Sequence, residues 1–545
     1  MVQRKTDTGA AVTAYKTTPL HVAALSGRLD NAVRLIDRGA SVDARDGELD
    51  TPLHLASLSG HRNVAVALLD RGANVNSKNG NQMTPLHLAS SKGHQNVIVL
   101  LIDRGASVDA TNGKQRITPL HAASFAGHQN VALCLLDRGA QVDARDVKQR
   151  TPLHYASLVG NQNVALTLLD RGAQVDARDD EQDQPLHVAS SLGHRNFVLT
   201  LLDRGAKVDA RDGDKETPLH LASRSGHPDV ALLLINRGAS VDARNNEQLT
   251  PLHLALLSRH KNVALRLLDR GAQVDARDDK LQTPLHLASL LGDRNVACTL
   301  LDRSAQVDAR DVKLQTPLHV ASFLGHENVA RILLDRGAQV DAKDYKQLTP
   351  LRLATQQGHQ NVALTLLDRG AQVNARDDVK LQTLLHVASF LGHKKVVLTL
   401  LDRGAYLDAK DDTQTTPLHF ASCNGHQDVA LLLIDRGASV EALDSQQRTP
   451  VQLASDSGHK ILATLLAERA SARDAKRSAS AQSSFQTVDK LNAENGSPDA
   501  KEAIQPAAQP SSDQQENEDL TLVQVERDET VTHRRKKKKK KKRRR

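Results

Sequence analysis

Histidine and cysteine are the residues of this chain best suited to chemistry, because they bind metals and act as bases or nucleophiles near neutral pH. The 545 residues contain 24 histidines and three cysteines, Cys134, Cys298 and Cys423. Twelve histidines end a Thr-Pro-Leu-His tetrapeptide or a variant of it, eleven occupy a second recurring position, mostly after glycine, and the last is His533. Because no His-x-x-x-His or Cys-x-x-Cys pair occurs, the pattern predicts neither a metal site nor an enzyme.

The tetrapeptide recurs fourteen times, at intervals of 33 residues except for two of 34. Its second position is occupied by Pro19, Pro52, Pro85, Pro119, Pro152, Pro185, Pro218, Pro251, Pro284, Pro317, Pro350, Leu384, Pro417 and Pro450. A fixed period of this length is typical of a stacked repeat protein, in which each unit contacts its neighbours. We number the units as repeats 1–14.

The repeat that starts at Thr151 indicates why each unit should form two short helices. Thr151 can cap a helix whose first residue is Pro152, where the missing N–H group costs nothing. Gly160 can adopt the left-handed conformation that ends this helix. Residues 163–171 carry the apolar stripe of a second helix, which Gly172 closes. Helices this short are marginal alone, so only the stack can bury their apolar faces.

The elements Thr-Pro-Leu-His-x-Ala, Gly-His and Arg-Gly-Ala-x-Val-Asp recur in nearly every unit over residues 15–475. In these elements the chain resembles the ankyrin repeat family. The resemblance implies an all-α-dominated α-solenoid, with a helix pair and a β-hairpin in each unit, and hydrogen bonds from the tetrapeptide histidines between neighbouring hairpins. Members of this family are overwhelmingly protein-binding scaffolds, whose partners usually bind the hairpin tips and the concave face of the inner helices.

Charge is unevenly distributed along the chain. Residues 1–470 carry 54 basic and 52 acidic side chains, so the array offers no general attraction for nucleic acid. Beyond it, a composition rich in Ser, Gln, Ala and Pro predicts disorder. The predicted domains are a lead-in (1–14), the array (15–475), a disordered acidic linker (476–533) and a polybasic tail (534–545). The tail consists of Arg534, Arg535, Lys536, Lys537, Lys538, Lys539, Lys540, Lys541, Lys542, Arg543, Arg544 and Arg545.

The location of the protein can also be predicted. The sequence has no run of about 18 apolar residues and no signal-peptide pattern at its start. Its cysteines lie in different repeats and cannot build a disulfide framework, which suits a reducing compartment. We expect a monomer in the nucleus or cytoplasm that is neither secreted nor membrane-spanning and needs no cofactor.

Binding specificity should lie where the repeats differ, at the two residues before the first glycine of each unit. In the family these positions face the concave groove. The large apolar residues there are Leu290 and Leu291, Phe323 and Leu324, and Phe390 and Leu391 in repeats 9, 10 and 12, with Phe125 and Leu158 in repeats 4 and 5. A contiguous exposed apolar patch commonly marks an interaction site. The alternative is that these side chains pack against the helix of the adjacent repeat.

The hairpin tip is the second candidate surface. The family usually has glycine two residues before the tetrapeptide, but this chain never does, and repeats 9, 10 and 12 carry Leu281, Leu314 and Leu381 there. A residue with a Cβ atom resists positive φ, so this departure puts the usual tip conformation in doubt. Because the same three repeats carry the apolar pairs, we centre the predicted binding site on residues 281–391.

Four substitutions interrupt the pattern at glycine, histidine and proline positions. They are Arg259 in repeat 8, Ser304 in repeat 9, Arg352 in repeat 11 and Leu384 in repeat 12. Each lost glycine should cost about 1 kcal/mol. The substitutions predict weak joints and a hinge near residues 259–304, although ordinary drift in a long array explains them equally well.

Two functions remain open at this point. The first is a protein-binding scaffold or adaptor that the basic tail directs to the nucleus through an import receptor. The second is a nucleic-acid- or anionic-membrane-associated protein in which the tail is the main binding element.

Overall fold

The structure, a computed structural model, describes residues 17–472. The predicted lead-in, acidic linker and polybasic tail lie outside the described residues. Every repeat contains two short helices, which confirms the helical repeat solenoid.

The first helix of almost every repeat begins at the tetrapeptide proline. These helices are α1 (Pro19–Ser26), α3 (Pro52–Ser59), α5 (Pro85–Lys92), α7 (Pro119–Ala126), α9 (Pro152–Val159), α11 (Pro185–Leu192), α13 (Pro218–Ser225), α15 (Pro251–Leu257), α17 (Pro284–Leu291), α19 (Pro317–Leu324), α21 (Pro350–Gln357), α23 (Leu384–Phe390), α25 (Pro417–Cys423) and α27 (Pro450–Asp456).

In most repeats the second helix starts two residues after the glycine that closes the first helix, and it ends just before an Arg-Gly pair. These helices are α2 (Leu29–Asp37), α4 (Arg62–Asp70), α6 (Gln95–Asp103), α8 (Gln129–Asp137), α10 (Gln162–Asp170), α12 (Arg195–Asp203), α14 (Pro228–Asn236), α16 (Lys261–Asp269), α18 (Arg294–Asp302), α20 (Glu327–Asp335), α22 (Gln360–Asp368), α24 (Lys394–Asp402) and α26 (Gln427–Asp435). The chain is helical again over 460–472.

One apolar cluster runs through the array between the helices. In repeat 5, Leu153, Ala156, Val164 and Leu168 are fully buried, and their counterparts in other repeats join the same cluster. Helix α9 packs against α7 and α11, the first helices of the repeats on either side. Each repeat therefore completes the core of its neighbours, as the period predicted.

The tetrapeptide histidine joins each repeat to the next. In repeat 5 the Nδ1 atom of His154 accepts the backbone N–H of Thr151 (3.1 Å) and lies 2.9 Å from its Oγ1 atom. The Nε2 atom lies 3.1 Å from the carbonyl oxygen of Asp183, in the connection to repeat 6. A carbonyl can only accept, so Nε2 carries the proton and the ring is neutral. The contact between repeats that the resemblance implied for these histidines is thus confirmed.

The second recurring histidine packs on the glycine of the preceding repeat. The Nε2 atom of His94 lies 3.1 Å from the carbonyl oxygen of Leu58, two residues before Gly60. A Cβ atom on Gly60 would lie only 2.5 Å from the His94 ring. Gly60 is therefore required both for its positive φ of 78° and for the space above it. Sequence analysis assigned this glycine only the first of these two roles.

Repeats 8 and 9 replace both members of this contact together. Arg259 stands where other repeats have the glycine, and Asp293 stands where the next repeat should carry the histidine. Arg259 keeps a φ of 63°, while the carboxylate of Asp293 caps α18 by accepting the N–H groups of Asn295 and Val296. By the register of the other repeats, the residue opposite Arg259 is a short side chain instead of an imidazole. The substitution is compensated across the joint.

The other departures also keep the local geometry. Ser304 has a φ of 66°, and glycines at the same position of other repeats, such as Gly72, have no atom within 4 Å of an added Cβ. Arg352 replaces a histidine, and its guanidinium donates to the carbonyl oxygen of Gln382 (3.3 Å) and to Asp377 (2.7 Å). Arg352 thus takes over the link to the next repeat, where the connection is one residue longer. The predicted hinge remains a prediction.

The connections do not form the β-hairpin that the resemblance implied. Residues 17–472 contain no β-strand, and their β-type pairing is one isolated bridge between Arg376 and Thr383. Each connection reverses within five or six residues, as in 311–315, where Asp311 N–H donates to the carbonyl oxygen of Gln315 (3.1 Å). One such bond is too few to build a pair of strands. We call the five or six residues that precede each tetrapeptide threonine position the tip loop.

Arg259 and Asp293 should have coupled effects on stability. Asp293→His alone places an imidazole against the Arg259 side chain and should destabilise the array by about 1–3 kcal/mol. Arg259→Gly alone relieves strain at positive φ and should stabilise it by about 1 kcal/mol. The double variant rebuilds the Gly–His contact, so urea unfolding followed by circular dichroism should give a favourable coupling energy of about 1 kcal/mol or more. Additive effects would show that the two positions are independent.

The buried histidines should make the array sensitive to acid. Burial lowers the pKa of His87, His121 and His154 from 6.5 to about 4. An unfolded chain binds these protons near pH 6.5 and the folded chain only near pH 4, so stability is lost as the pH falls between these values. Protonation of each such histidine should lower the free energy of unfolding by up to roughly 3 kcal/mol.

The urea concentration at half-unfolding should therefore fall steeply from about pH 6.5 to about pH 4. A His154→Asn variant should show a shallower fall, because it lacks one of the titrating groups. A midpoint that does not change over this interval would contradict the neutral, buried state of the rings.

Candidate functional site

The tip loops keep a left-handed residue in repeats 2–14 although none of these residues is glycine. All thirteen residues two before the tetrapeptide have φ between 54° and 64°. The tip loops therefore keep the left-handed conformation that the absence of glycine had put in doubt. In repeat 10, Asp311 Oδ1 accepts the N–H groups of Lys313 and Gln315 (both 2.8 Å), on either side of Leu314. These bonds fix the loop and hold Leu314 at a strain of about 1–2 kcal/mol.

Neighbouring tip loops are bonded to one another. The N–H of Val312 donates to the carbonyl oxygen of Lys280 (3.0 Å), and that of Tyr345 donates to the carbonyl oxygen of Lys313 (3.1 Å). The segments that precede the tip loops of repeats 10 and 11 are also linked, because the guanidinium of Arg310 donates to the Lys343 carbonyl oxygen (3.3 Å). The tip loops of repeats 9–11 therefore form one connected row. Their exposed side chains are held at fixed positions relative to each other.

Repeats 9–12 present apolar and cationic side chains together on their tip loops. Leu281, Leu314 and Leu381 expose 42–45% of their surface. Sequence analysis named these leucines but missed three more exposed residues, Val312, Tyr345 and Val379, which vary too much in type to stand out in the pattern. Each of these four tip loops also carries an exposed lysine. We call the six apolar residues and the lysines Lys280, Lys313, Lys346 and Lys380 the tip strip.

The predicted residues at the ends of the first helices divide into two groups. None of them is fully buried. Those that are exposed are Phe125, Leu290, Phe390 and Leu391. Those that are half-buried are Leu158, Leu291, Phe323 and Leu324. In repeat 11 the same positions are Gln356 and Gln357, so a polar layer separates the apolar pairs of repeats 9 and 10 from that of repeat 12.

The two exposed phenylalanines pack against the adjacent repeat and also expose apolar surface, so both interpretations of these positions apply to them. The ring of Phe390 makes an edge-to-face contact with Phe420 of the next repeat, with centroids 5.9 Å apart. Phe125 contacts Tyr155 in the same way at 6.2 Å. Such pairs contribute about 0.5–1.5 kcal/mol. Each ring is therefore packed on one side against the adjacent repeat and open to solvent on the other.

The tip loops of repeats 6 and 7 are strongly acidic. Burial and the nearby carboxylates of Asp179 and Asp212 raise the pKa of Asp183 to about 7. Burial also raises the pKa of Asp212 to about 6. The buried Glu216 forms an ion pair with Arg224. Because the folded chain holds the Asp183 proton more tightly than the unfolded chain, this site gains stability as the pH falls below 7, opposite to the histidines.

The remaining residues suited to chemistry are dispersed. Cys134 is buried, Cys298 half-buried and Cys423 exposed, each in a different repeat. Burial raises the pKa of the Cys134 thiol, which keeps it protonated near neutral pH. Across 17–472, no group of three or more His, Cys, Asp or Glu side chains could hold a metal ion. In the same range no helix has the length and apolar character needed to span a bilayer.

Stacked helix pairs joined by bonded tip loops define a repeat-solenoid protein. The model of ankyrin repeats (three copies) matches this chain in ten overlapping segments between residues 2 and 476. The chain belongs to the ankyrin repeat family. Proteins of this family are generally non-enzymatic modules that mediate protein–protein interactions, and the match supports a protein-interaction scaffold.

Among solved structures, the chain is similar to the crystal structure of the human ASB11 ankyrin repeat domain, with 30% sequence identity and a TM-score of 0.38. The similarity covers 41% of this chain and 99% of that one. No curated protein matches the chain.

Proposed function

We propose that the protein is a non-enzymatic adaptor that binds a protein partner on repeats 9–12, through the tip strip and the apolar ends of the first helices. The observation that carries this proposal is the exposed apolar surface at the tips of repeats 9, 10 and 12. A glycine would hold each tip loop without steric cost, yet Leu281, Leu314 and Leu381 occupy the left-handed position. Contact with a partner supplies a reason to retain these side chains.

The geometry of the row favours binding as well. The tip loops are closed by internal hydrogen bonds, and those of repeats 9–11 are joined to each other, so few degrees of freedom would be lost when a partner binds. The exposed faces of Leu290, Phe390 and Leu391 add apolar surface in the same repeats. Aromatic residues are enriched among the side chains that dominate binding energy, which favours Phe390 and the half-buried Phe323 as anchors.

In this proposal the polybasic tail, 534–545, directs the adaptor to the nucleus. Twelve consecutive cations match the kind of basic cluster that an import receptor reads. The rival proposal, in which the tail itself binds nucleic acid or an anionic membrane, rests on the same charge. The array would then be a monomeric carrier rather than the main binding element.

Changing Phe323 and Phe390 together to Ser should weaken capture of the partner while the array stays helical. If both rings are anchors, the loss should be several kcal/mol, on the order of a hundredfold in affinity. Partners are first identified by affinity purification of the full chain with mass spectrometry, and their binding to the variant is then measured. Leu257→Ser in repeat 8, at the position of Phe323 and exposed like Phe390, is the matched control. Cooperative unfolding with unchanged binding by the folded fraction would identify core residues instead.

Removing the tail should change the location of the protein and leave its partner bound. A chain that ends at His533 should spread through the cytoplasm, whereas the full chain accumulates in the nucleus, as imaged with a fluorescent fusion. A truncated chain that remains nuclear would show that the tail is not the nuclear localisation signal. Loss of all binding on truncation, or release of the full chain from membranes by raised salt, would favour the rival proposal.

A further inference from the structure

Three positively charged connections are followed directly by three negatively charged ones along the array. We call the eight or nine residues that end before each tetrapeptide threonine position the tip segment, and count every charged side chain in it. The segments of repeats 3–5 (76–83, 109–117 and 143–150) each carry a net charge of +1, and those of repeats 6–8 (176–183, 209–216 and 242–249) carry −4, −2 and −1. In repeats 2 and 9–14 the net charge lies between −3 and 0. Positive tip segments are therefore confined to repeats 3–5.

The tip loops of repeats 4–8 are bonded in one continuous row. The backbone N–H donors and carbonyl acceptors that join successive loops are Val147 to Gln115, Asp180 to Lys148, Gly213 to Glu181 and Asn246 to Asp214, each at 3.0 Å. Repeat 3 is joined to repeat 4 by Lys78, whose ammonium donates to the carbonyl oxygen of Thr111 (3.1 Å). The charges of repeats 3–8 are therefore held in a fixed order and at fixed positions.

Six of these charges are exposed and have no counter-ion within the array. They are Lys114, Arg116 and Lys148 in the positive segments, and Asp180, Glu181 and Asp214 in the negative ones. Within residues 17–472 none of the six takes part in an ion pair. Other charges of the same segments are already paired, such as Asp146 with Arg150 and Glu216 with Arg224. A surface of complementary charge can therefore pair with the six.

The order of these charges is its own complement when it is reversed. A second copy that runs in the opposite direction presents three negative segments where the first presents three positive ones. Repeat 5 of one copy then faces repeat 6 of the other, repeat 4 faces repeat 7 and repeat 3 faces repeat 8. Every facing pair joins opposite charges, and the spacing matches because both copies use the same row. Use of one surface by both copies is the property of a closed twofold dimer.

Parallel arrangements of two copies do not satisfy all of the charges. In register, each segment would face its own equivalent, and like charges would repel. With a shift of three repeats, repeats 3–5 of one copy would face repeats 6–8 of the other. The remaining half of each copy would stay unpaired, and further copies would add in an open chain.

From this order of charges we infer that two copies of the chain associate in antiparallel orientation through the tip segments of repeats 3–8, about a twofold axis between repeats 5 and 6. The surface lies outside the tip strip, so the inference is independent of the proposed function. It replaces the monomer expected from the sequence with a dimer. The dimer should be weak and sensitive to salt, because its contacts are exposed ion pairs.

Sedimentation velocity of the full chain tests the association. At a protein concentration of about 100 µM, which populates a weak complex, we expect a species of twice the chain mass in about 50 mM salt. It should dissociate in about 500 mM salt, where the Debye length falls to about 4 Å. A chain that ends at His533 should dimerise as well as the full chain, because the polybasic tail is not part of the interface.

Two charge-reversed variants of the full chain test the antiparallel pairing. The first combines Lys114→Glu, Arg116→Glu and Lys148→Glu, and the second combines Asp180→Lys, Glu181→Lys and Asp214→Lys. Each alone should dimerise at least about tenfold more weakly, because like charges then face each other. An equimolar mixture should form a heterodimer within about tenfold of the natural affinity, since each reversed residue again faces an opposite charge.

A matched control carries the same change in total charge outside repeats 3–8. It combines Lys346→Glu, Lys380→Glu and Lys410→Glu, which lie in the tip segments of repeats 11–13 and are exposed. It should dimerise within about twofold of the natural chain. Circular dichroism should show the same helicity for all variants, because each changed side chain is exposed.

Several outcomes would overturn the inference. They are a natural chain that stays monomeric in low salt, a reversed variant that still dimerises by itself, and a mixture that forms no heterodimer. Loss of the dimer on truncation at His533 would assign the pairing cations to the tail instead. A series of oligomers larger than the dimer would indicate the shifted parallel arrangement and contradict the twofold axis.

Discussion

The hydrogen bond from a buried, neutral histidine to the next repeat is the interaction on which this array depends. The ring of His154 fixes the start of α9 through Thr151 and at the same time bonds the connection that leads into repeat 6. It can do both only while one nitrogen accepts and the other donates. Helices of eight or nine residues are marginal alone, so each repeat is ordered by its neighbours. In repeat 11, which has no such histidine, the guanidinium of Arg352 maintains the link to the next repeat.

Two of the positive-φ positions in each repeat differ in what their Cα atoms face. Gly60 faces a histidine ring of the next repeat, so a side chain is excluded by space as well as by backbone conformation. The tip-loop position, occupied by Leu314 in repeat 10, carries a side chain that points into solvent, so only backbone strain opposes it. The first kind therefore holds the stack together and is nearly invariant along the array. The second is free to vary in type, which is what a surface for recognition requires.

Much of the fold could be predicted from the period, because the same residue types start and end the helices in each repeat. The helix starts at the prolines and the stops at the first glycines follow from local rules, and the structure places them where the sequence predicts. The contact between His94 and Gly60 could not be predicted in this way, since it joins residues of different repeats whose relative placement the period does not specify. The signal that could have revealed it was a paired departure from the pattern, in which Arg259 replaces the recurring glycine and Asp293 replaces the recurring histidine of the next repeat.

The tip loops were harder to predict for a different reason. The implied β-hairpin is absent from the described residues. The doubt about the tip conformation failed because a side-chain oxygen, such as Oδ1 of Asp311 or of Asn245, accepts backbone N–H groups within the loop and holds it closed. Exposure at residues such as Tyr345 needed the structure, because it depends on where the loop turns.

The paired substitution at repeats 8 and 9 also bears on how such an array can change by gain or loss of whole units. At most joints a deleted unit leaves a glycine facing a histidine, so the two new neighbours fit without further change. Loss of repeat 9 alone would set Arg259 against His326, a side chain against a ring, whereas loss of repeat 8 alone would set Gly226 against Asp293 and leave only an unfilled gap. Recombination is therefore not symmetric here: repeat 9 cannot be lost cleanly unless repeat 8 goes with it, whereas repeat 8 can be lost alone without a clash.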